Sequence, residues 1–282
     1  IRIITGEADV QGNGNMPALE QVKHLDVKPL TYTSEGASPR HSVNKFTFNN
    51  LNTVTEGLSI KGPIYAPKLE SVHGGLFVTD EQQLNTYHEQ VQGKKDKDSY
   101  LYDYWNDKED TFAAKGIPLY HKETFLDAPN LRRVSRGKDS IVGYGQAFRA
   151  TGDTKINVPS LELIDGHIQL KGKSQVFPAL THVTGSITSS WQILPKAKWP
   201  KNYMEGETGM DWSGSDLASI DHFPSLHTID GDLRIEYPMK LNSLVSVAGL
   251  KVYAPSELKN LTYVRESVEL GRKVEVPNLK YI

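Results

Sequence analysis

One six-residue phrase returns along the whole chain: proline, any residue, leucine, two residues, then valine or isoleucine. It reads Pro17-Ala18-Leu19 with Val22, Pro67-Lys68-Leu69 with Val72, Pro129-Asn130-Leu131 with Val134, and Pro159-Ser160-Leu161 with Ile164. Pro178/Leu180/Val183, Pro224/Leu226/Ile229 and Pro277/Leu279/Ile282 repeat it, and Leu51/Val54, Leu244/Val247 and Leu261/Val264 are variants without the proline. The shortest separations of the key leucines are 17 to 19 residues, as between 51 and 69 or 226 and 244. A repeat of this kind constrains the fold more than any composition does, because one short unit buries almost nothing alone and must stack on its neighbours.

Within a unit the apolar residues alternate. A glycine commonly follows the valine or isoleucine, and pairs such as Leu58/Ile60, Leu76/Val78, Ile168/Leu170 and Leu233/Ile235 come next. A second pair precedes the proline, as in Ile64/Ala66 and Ile156/Val158. Alternation at period two places one face inward and one outward, the mark of a strand. Proline cannot donate to a ladder and closes the strand. Residues 58–72 and 268–282 carry apolar side chains at the same offsets, which describes one coil of a prism. The expectation is a β-rich, right-handed parallel β-solenoid of about ten to twelve coils, its hand taken from the rule for parallel crossovers.

The run Leu226-His227-Thr228-Ile229-Asp230-Gly231-Asp232-Leu233-Arg234-Ile235 resembles the leucine-rich-repeat superfamily, and in style the receptor L-domain variant. The likeness extends over nearly the whole chain outside its insertions. It departs from the superfamily in having a shorter turn, no asparagine ladder and no disulfide caps. What the resemblance implies is a non-catalytic recognition surface, typical of receptors, secreted surface proteins and bacterial virulence-type effectors.

Two insertions interrupt the single solenoid domain expected over 1–282. In the first, 79–125, Thr79 and Gln82 have capping-box spacing, and Leu101, Tyr104, Trp105 and Phe112 fall on one helical face, predicting a helical hairpin. The second, 189–221, has no clean period and is expected to be an aromatic-rich loop. All four tryptophans lie in these insertions. The core is expected to take Leu, Val and Ile, because every coil must match its neighbour in size. Aromatics outside it therefore either anchor the insertion or face a partner, for which Trp and Tyr offer large rigid surfaces with a polar handle. The candidate binding residues are therefore Trp105, Tyr102, Trp191, Trp199, Tyr203 and Trp212, and the expected partner is a protein or a glycan.

Other chemistries find less support. The chain has 32 basic and 34 acidic side chains, so nothing in its charge favours nucleic acid. No apolar run suffices to span a bilayer. With no cysteine, disulfides and thiolate chemistry are excluded. Gly172-Lys173-Ser174 and Gly143-Tyr144-Gly145 fail the spacing of phosphate-binding loops, so no cofactor is expected. His222 and His227 read as surface positions of a coil, Asp230 and Asp232 as a solvated turn, and no metal site or catalytic residue is assigned. The sequon Asn260-Leu261-Thr262 is uninformative.

An enzymatic alternative rests on Glu205, Glu207 and Asp211 beside Tyr203 and Trp212, the residue mix of a polysaccharide hydrolase or lyase cleft. Against it, the outward positions Ser59, Phe77, Gln169, Arg234, Lys251 and Glu269 form no charged ladder. A purely structural segment is a third reading. A start at Ile1 and a last repeat stopping at Ile282 suggest part of a longer chain, and the setting expected is secreted or cell-surface.

Overall fold

The computed structural model describes residues 1–11, 15–28, 46–78, 124–137, 145–151, 154–171, 175–189, 221–271 and 274–280. Among these the regular structure is entirely β. A 15-stranded sheet holds most of it, every pairing is parallel, and neighbours follow chain order turn by turn. This large parallel sheet is compatible with the solenoid expected from the repeat.

Each turn contributes three straight stretches. Val22, Val54, Val72, Val134, Ile164, Val183, Ile229, Val247 and Val264 lie in continuous register on the first. Leu25, Leu58, Leu76, Phe148, Ile168, Ile187, Leu233 and Leu250 do so on the second. All of them are buried. The third stretch forms two smaller ladders. One joins Phe46–Thr47, Ile64–Tyr65, Phe125–Asp127 and Lys155–Asn157, and the other joins Met239–Lys240, Ser256–Glu257 and Val274–Glu275.

The repeated phrase is a β-turn. In all ten copies the key leucine N–H donates to the carbonyl three residues earlier, for example Leu69 to Ala66, Leu161 to Val158 and Leu226 to Phe223. Where present, proline takes the second turn position, whose φ its ring already fixes. The third position braces the stack: the Nδ2 groups of Asn50, Asn130 and Asn278 donate to the carbonyls of Pro17, Pro67 and Lys259 one turn back, at 2.6, 2.7 and 2.6 Å. Ser243 does the same to Pro224. These braces are isolated side-chain to backbone bonds, and no asparagine among them bonds to another asparagine.

The first and second stretches meet at glycine because neighbouring turns nearly touch there. Gly74 adopts φ +88°, and a Cβ on it would stand 1.8 Å from the Glu56 carbonyl oxygen. A Cβ on Gly185 would stand 2.4 Å from the Gly166 carbonyl carbon.

Two expectations need correction. The core is not only Leu, Val and Ile: Phe46, Phe48, Phe148, Phe177 and Phe223 are fully buried, and Phe177 stacks on Phe223 with centroids 5.3 Å apart. Phe tolerates the interior because consecutive turns supply the matching rings. His222 is not a surface residue either; it is fully buried, whereas His227 is exposed. No helix occurs among the described residues, and the helical hairpin expected over 79–125 falls on 79–123, outside them.

Gly74→Ala should cost about 1–3 kcal/mol through overpacking alone, seen as a fall of several degrees in Tm by calorimetry. Gly6→Ala, where nothing lies within 4 Å of the new methyl, should stay within about 0.5 kcal/mol of wild type.

Candidate functional site

The link from the second stretch to the third is the same corner in every turn. In seven turns it takes three residues: 12–14, 61–63, 152–154, 172–174, 236–238, 253–255 and 271–273. In three it is long, spanning 29–45, 79–124 and 190–220. The chain leaves the sheet at Lys28, Val78 and Ser189 and rejoins the third stretch at Phe46, Phe125 and Asp221. These are the second, fourth and seventh turns. At a strand spacing of about 4.8 Å, their departure points lie on one edge within about 24 Å.

Trp105 and Tyr102 belong to the excursion 79–124, and Trp191, Trp199, Tyr203 and Trp212 to 190–220. All six lie outside the described residues, as do Glu205, Glu207 and Asp211. What the structure places is the root of each excursion. The third long link, 29–45, contains no tryptophan and leaves only one trace in the repeat, the 32-residue separation of Leu19 and Leu51.

A polar cluster lies on the same edge. Arg234 and Ser189 belong to adjacent strands paired in register at Thr188–Arg234 and Ser189–Ile235. The Arg234 guanidinium donates through Nε to Glu236 Oε1 at 2.6 Å and lies 5.3 Å from the centroid of the Tyr253 ring. Glu236 and Tyr253 are the first residues of two tight corners. The Glu236 bond raises the already basic Arg234 further, so this cation keeps its charge. Burial, and then a bond to Glu269, push the Tyr253 phenol up, so it remains a neutral hydroxyl. An aromatic face, a cation and two carboxylates are therefore presented side by side. Sequence reasoning had marked Arg234 and Glu269 as outward but left out Glu236 and Tyr253; their place before the prolines of Glu236-Tyr237-Pro238 and Tyr253-Ala254-Pro255 is the signal that could have found them.

A second polar row runs along the first stretch. His182 Nε2 lies 2.8 Å from Asp230 Oδ2, Thr184 donates to Asp165 at 2.7 Å, and Arg265 reaches the Asp230 carbonyl. Asp230 is thus not merely a solvated turn residue; it ties three turns together. His73 Nδ1 lies 2.8 Å from Ser135 Oγ, but Ser135 is buried and, among the described residues, no carboxylate bonds to the far side of the imidazole, so the pair as described lacks the arrangement of a nucleophile and base. Among the described residues no group of three or more His, Asp or Glu could hold a metal ion. Nor is any helix among them long and apolar enough to cross a membrane.

Compared with family profiles, curated proteins and solved structures, the chain matches none.

Exposed ion pairs contribute about 0.2–1 kcal/mol. The double variant Arg234→Ala/Tyr253→Ala should therefore unfold within about 1 kcal/mol of wild type in a urea titration. A much larger loss would show that the cluster holds the edge together rather than being displayed on it.

Proposed function

We propose that the chain is a non-catalytic recognition module, a right-handed β-solenoid in the style of the leucine-rich-repeat and L-domain proteins. In this reading it belongs to a secreted or cell-surface protein of the virulence-factor type, and it binds a protein or glycan through its excursions. The observation that carries the proposal is their common corner. Three long links distributed at random over the corners of ten turns would point in different directions. Here all three leave one edge within about 24 Å, two of them bring every tryptophan of the chain, and the Arg234–Tyr253 cluster adjoins the root of 190–220 at Ser189. Side chains of this type supply large rigid contact area at low entropic cost.

The seven tight corners indicate how to test it. Replacing 190–220 by the three-residue corner Lys61-Gly62-Pro63 leaves Ser189 and Asp221 connected as their neighbours are. The variant should keep the β-type circular dichroism spectrum of the parent. Binding to an immobilised panel of glycans and displayed cell-surface proteins should be lost for whichever member the parent captures. A folded variant that binds the same member with the same affinity overturns the assignment of the site to this excursion.

A further inference from the structure

The third stretch is interrupted at one place, between the ladders ending at Lys155–Asn157 and beginning at Met239–Lys240. Two turns there, 175–177 and 221–223, form no strand. Polar side chains occupy the gap. Gln175 stands where the preceding turns have Ile64, Leu126 and Ile156, and its Nε2 donates to Thr154 Oγ1 at 3.0 Å. His222 is fully buried, with Nδ1 2.7 Å from the Gln175 carbonyl oxygen. A carbonyl only accepts, so Nδ1 carries the proton and Nε2 is the bare nitrogen. Among the described residues, that Nε2, the Tyr237 hydroxyl and Gln175 Oε1 are all buried without a hydrogen-bond partner. Among the described residues, the one backbone bond between these two segments runs from Phe177 N–H to the His222 carbonyl, at 2.8 Å.

We propose that this polar joint is an acid-sensitive element of the fold: protonation of His222 detaches segment 221–223 from 175–177 and 239–241 while the 15-stranded sheet stays intact. A proton on Nε2 would create a buried cation, a costly state in an apolar interior. The surroundings do little to rescue it. The turn before contributes Gln175 and Phe177, both uncharged. The turn after contributes Tyr237, edge-on with centroids 5.8 Å apart, and Lys240, which pairs with Asp221 across the bridge. Among the charged groups of the described residues, Asp221, with Glu257 beyond it, is the carboxylate that acts on His222. Burial lowers the basicity of His222, outweighing the bond to Gln175 and the pull of Asp221. Opening also sacrifices few backbone bonds, because the ladder is already missing.

The sign follows from linkage. His222 is neutral in the folded chain, while the opened segment takes up a proton near the ordinary histidine value of about 6.5. Closure is therefore fully favoured above about 6.5 and weakens as pH falls, by about tenfold per unit until the lower folded value is reached. Asp221 acts in the opposite sense and at lower pH, since burial raises its carboxyl. The element does not require that the excursions bind anything, although Asp221 is where 190–220 rejoins the stack.

Hydrogen–deuterium exchange on the full chain at pH 7.5 and 5.0, corrected for intrinsic rates, tests this. The Phe177 amide and those of 221–223 should exchange at least about tenfold faster at pH 5.0, while amides of Thr53–Ile60 and Ser246–Val252 stay unchanged. In His222→Gln, which keeps a donor for the Gln175 carbonyl and cannot charge, the acceleration should vanish. If that variant fails to fold, the double change Gln175→Leu/His222→Phe, which removes both polar intrusions, is expected to behave the same way. Equal acid sensitivity in wild type and variant, acceleration shared by the whole sheet, or no acceleration at all overturns the proposal.

Discussion

In-register stacking of one turn on the next is the interaction from which everything else in this protein follows. A single turn has no interior; Leu69 and Val72 become buried only because Leu51 and Val54 lie beneath them and Leu131 and Val134 above. Each fully buried aliphatic side chain contributes about 1.5–3 kcal/mol, so the rows are cooperative along their length. A change of register by one residue would turn every row outward at once. The β-turn at each key leucine sets that register locally, and the asparagine braces set it between turns.

Stacking also determines where variation is tolerated. The glycine corner is too crowded for a methyl group, as Gly74 and Gly185 show. The interval 138–144 is the one long link beside it among the described strands. The corner between the second and third stretches accepts links from three residues to the full length of 79–124 while the flanking strands keep their register. Concentration of the long excursions on one edge is thus a consequence of sterics, and a surface built from them comes with a rigid base. The third stretch takes the remaining irregularity: with two of its turns unladdered, Gln175 and His222 enter the core where a parallel ladder would have required apolar side chains.

Much of this was legible in the residues. Offsets such as Leu58, Ile60, Ile64, Ala66, Leu69 and Val72 describe inward positions, and all six are buried. The strands, their alternation and the parallel stacking follow from them. Burial of His222 was not legible, because its neighbours Asp221 and Phe223 give a period-two pattern that places it outward. The Arg234–Glu236–Tyr253–Glu269 cluster was missed for a related reason. Arg234, Tyr253 and Glu269 lie in three successive turns, 16 to 19 residues apart in the chain, and become neighbours only when turns are superposed.

The sequence by itself determined the turn length, the identity of the inward rows and the restriction of tryptophan to two excursions, since these are periodic or compositional properties of the chain. Only the tertiary structure decided that the excursions share a corner, that an aromatic–cation cluster lines their edge, and that a histidine is sealed into an interrupted ladder. Those features depend on what lies one turn above and below, and a one-dimensional pattern reports the position of a residue within its own turn, not the side chain that stacking brings against it.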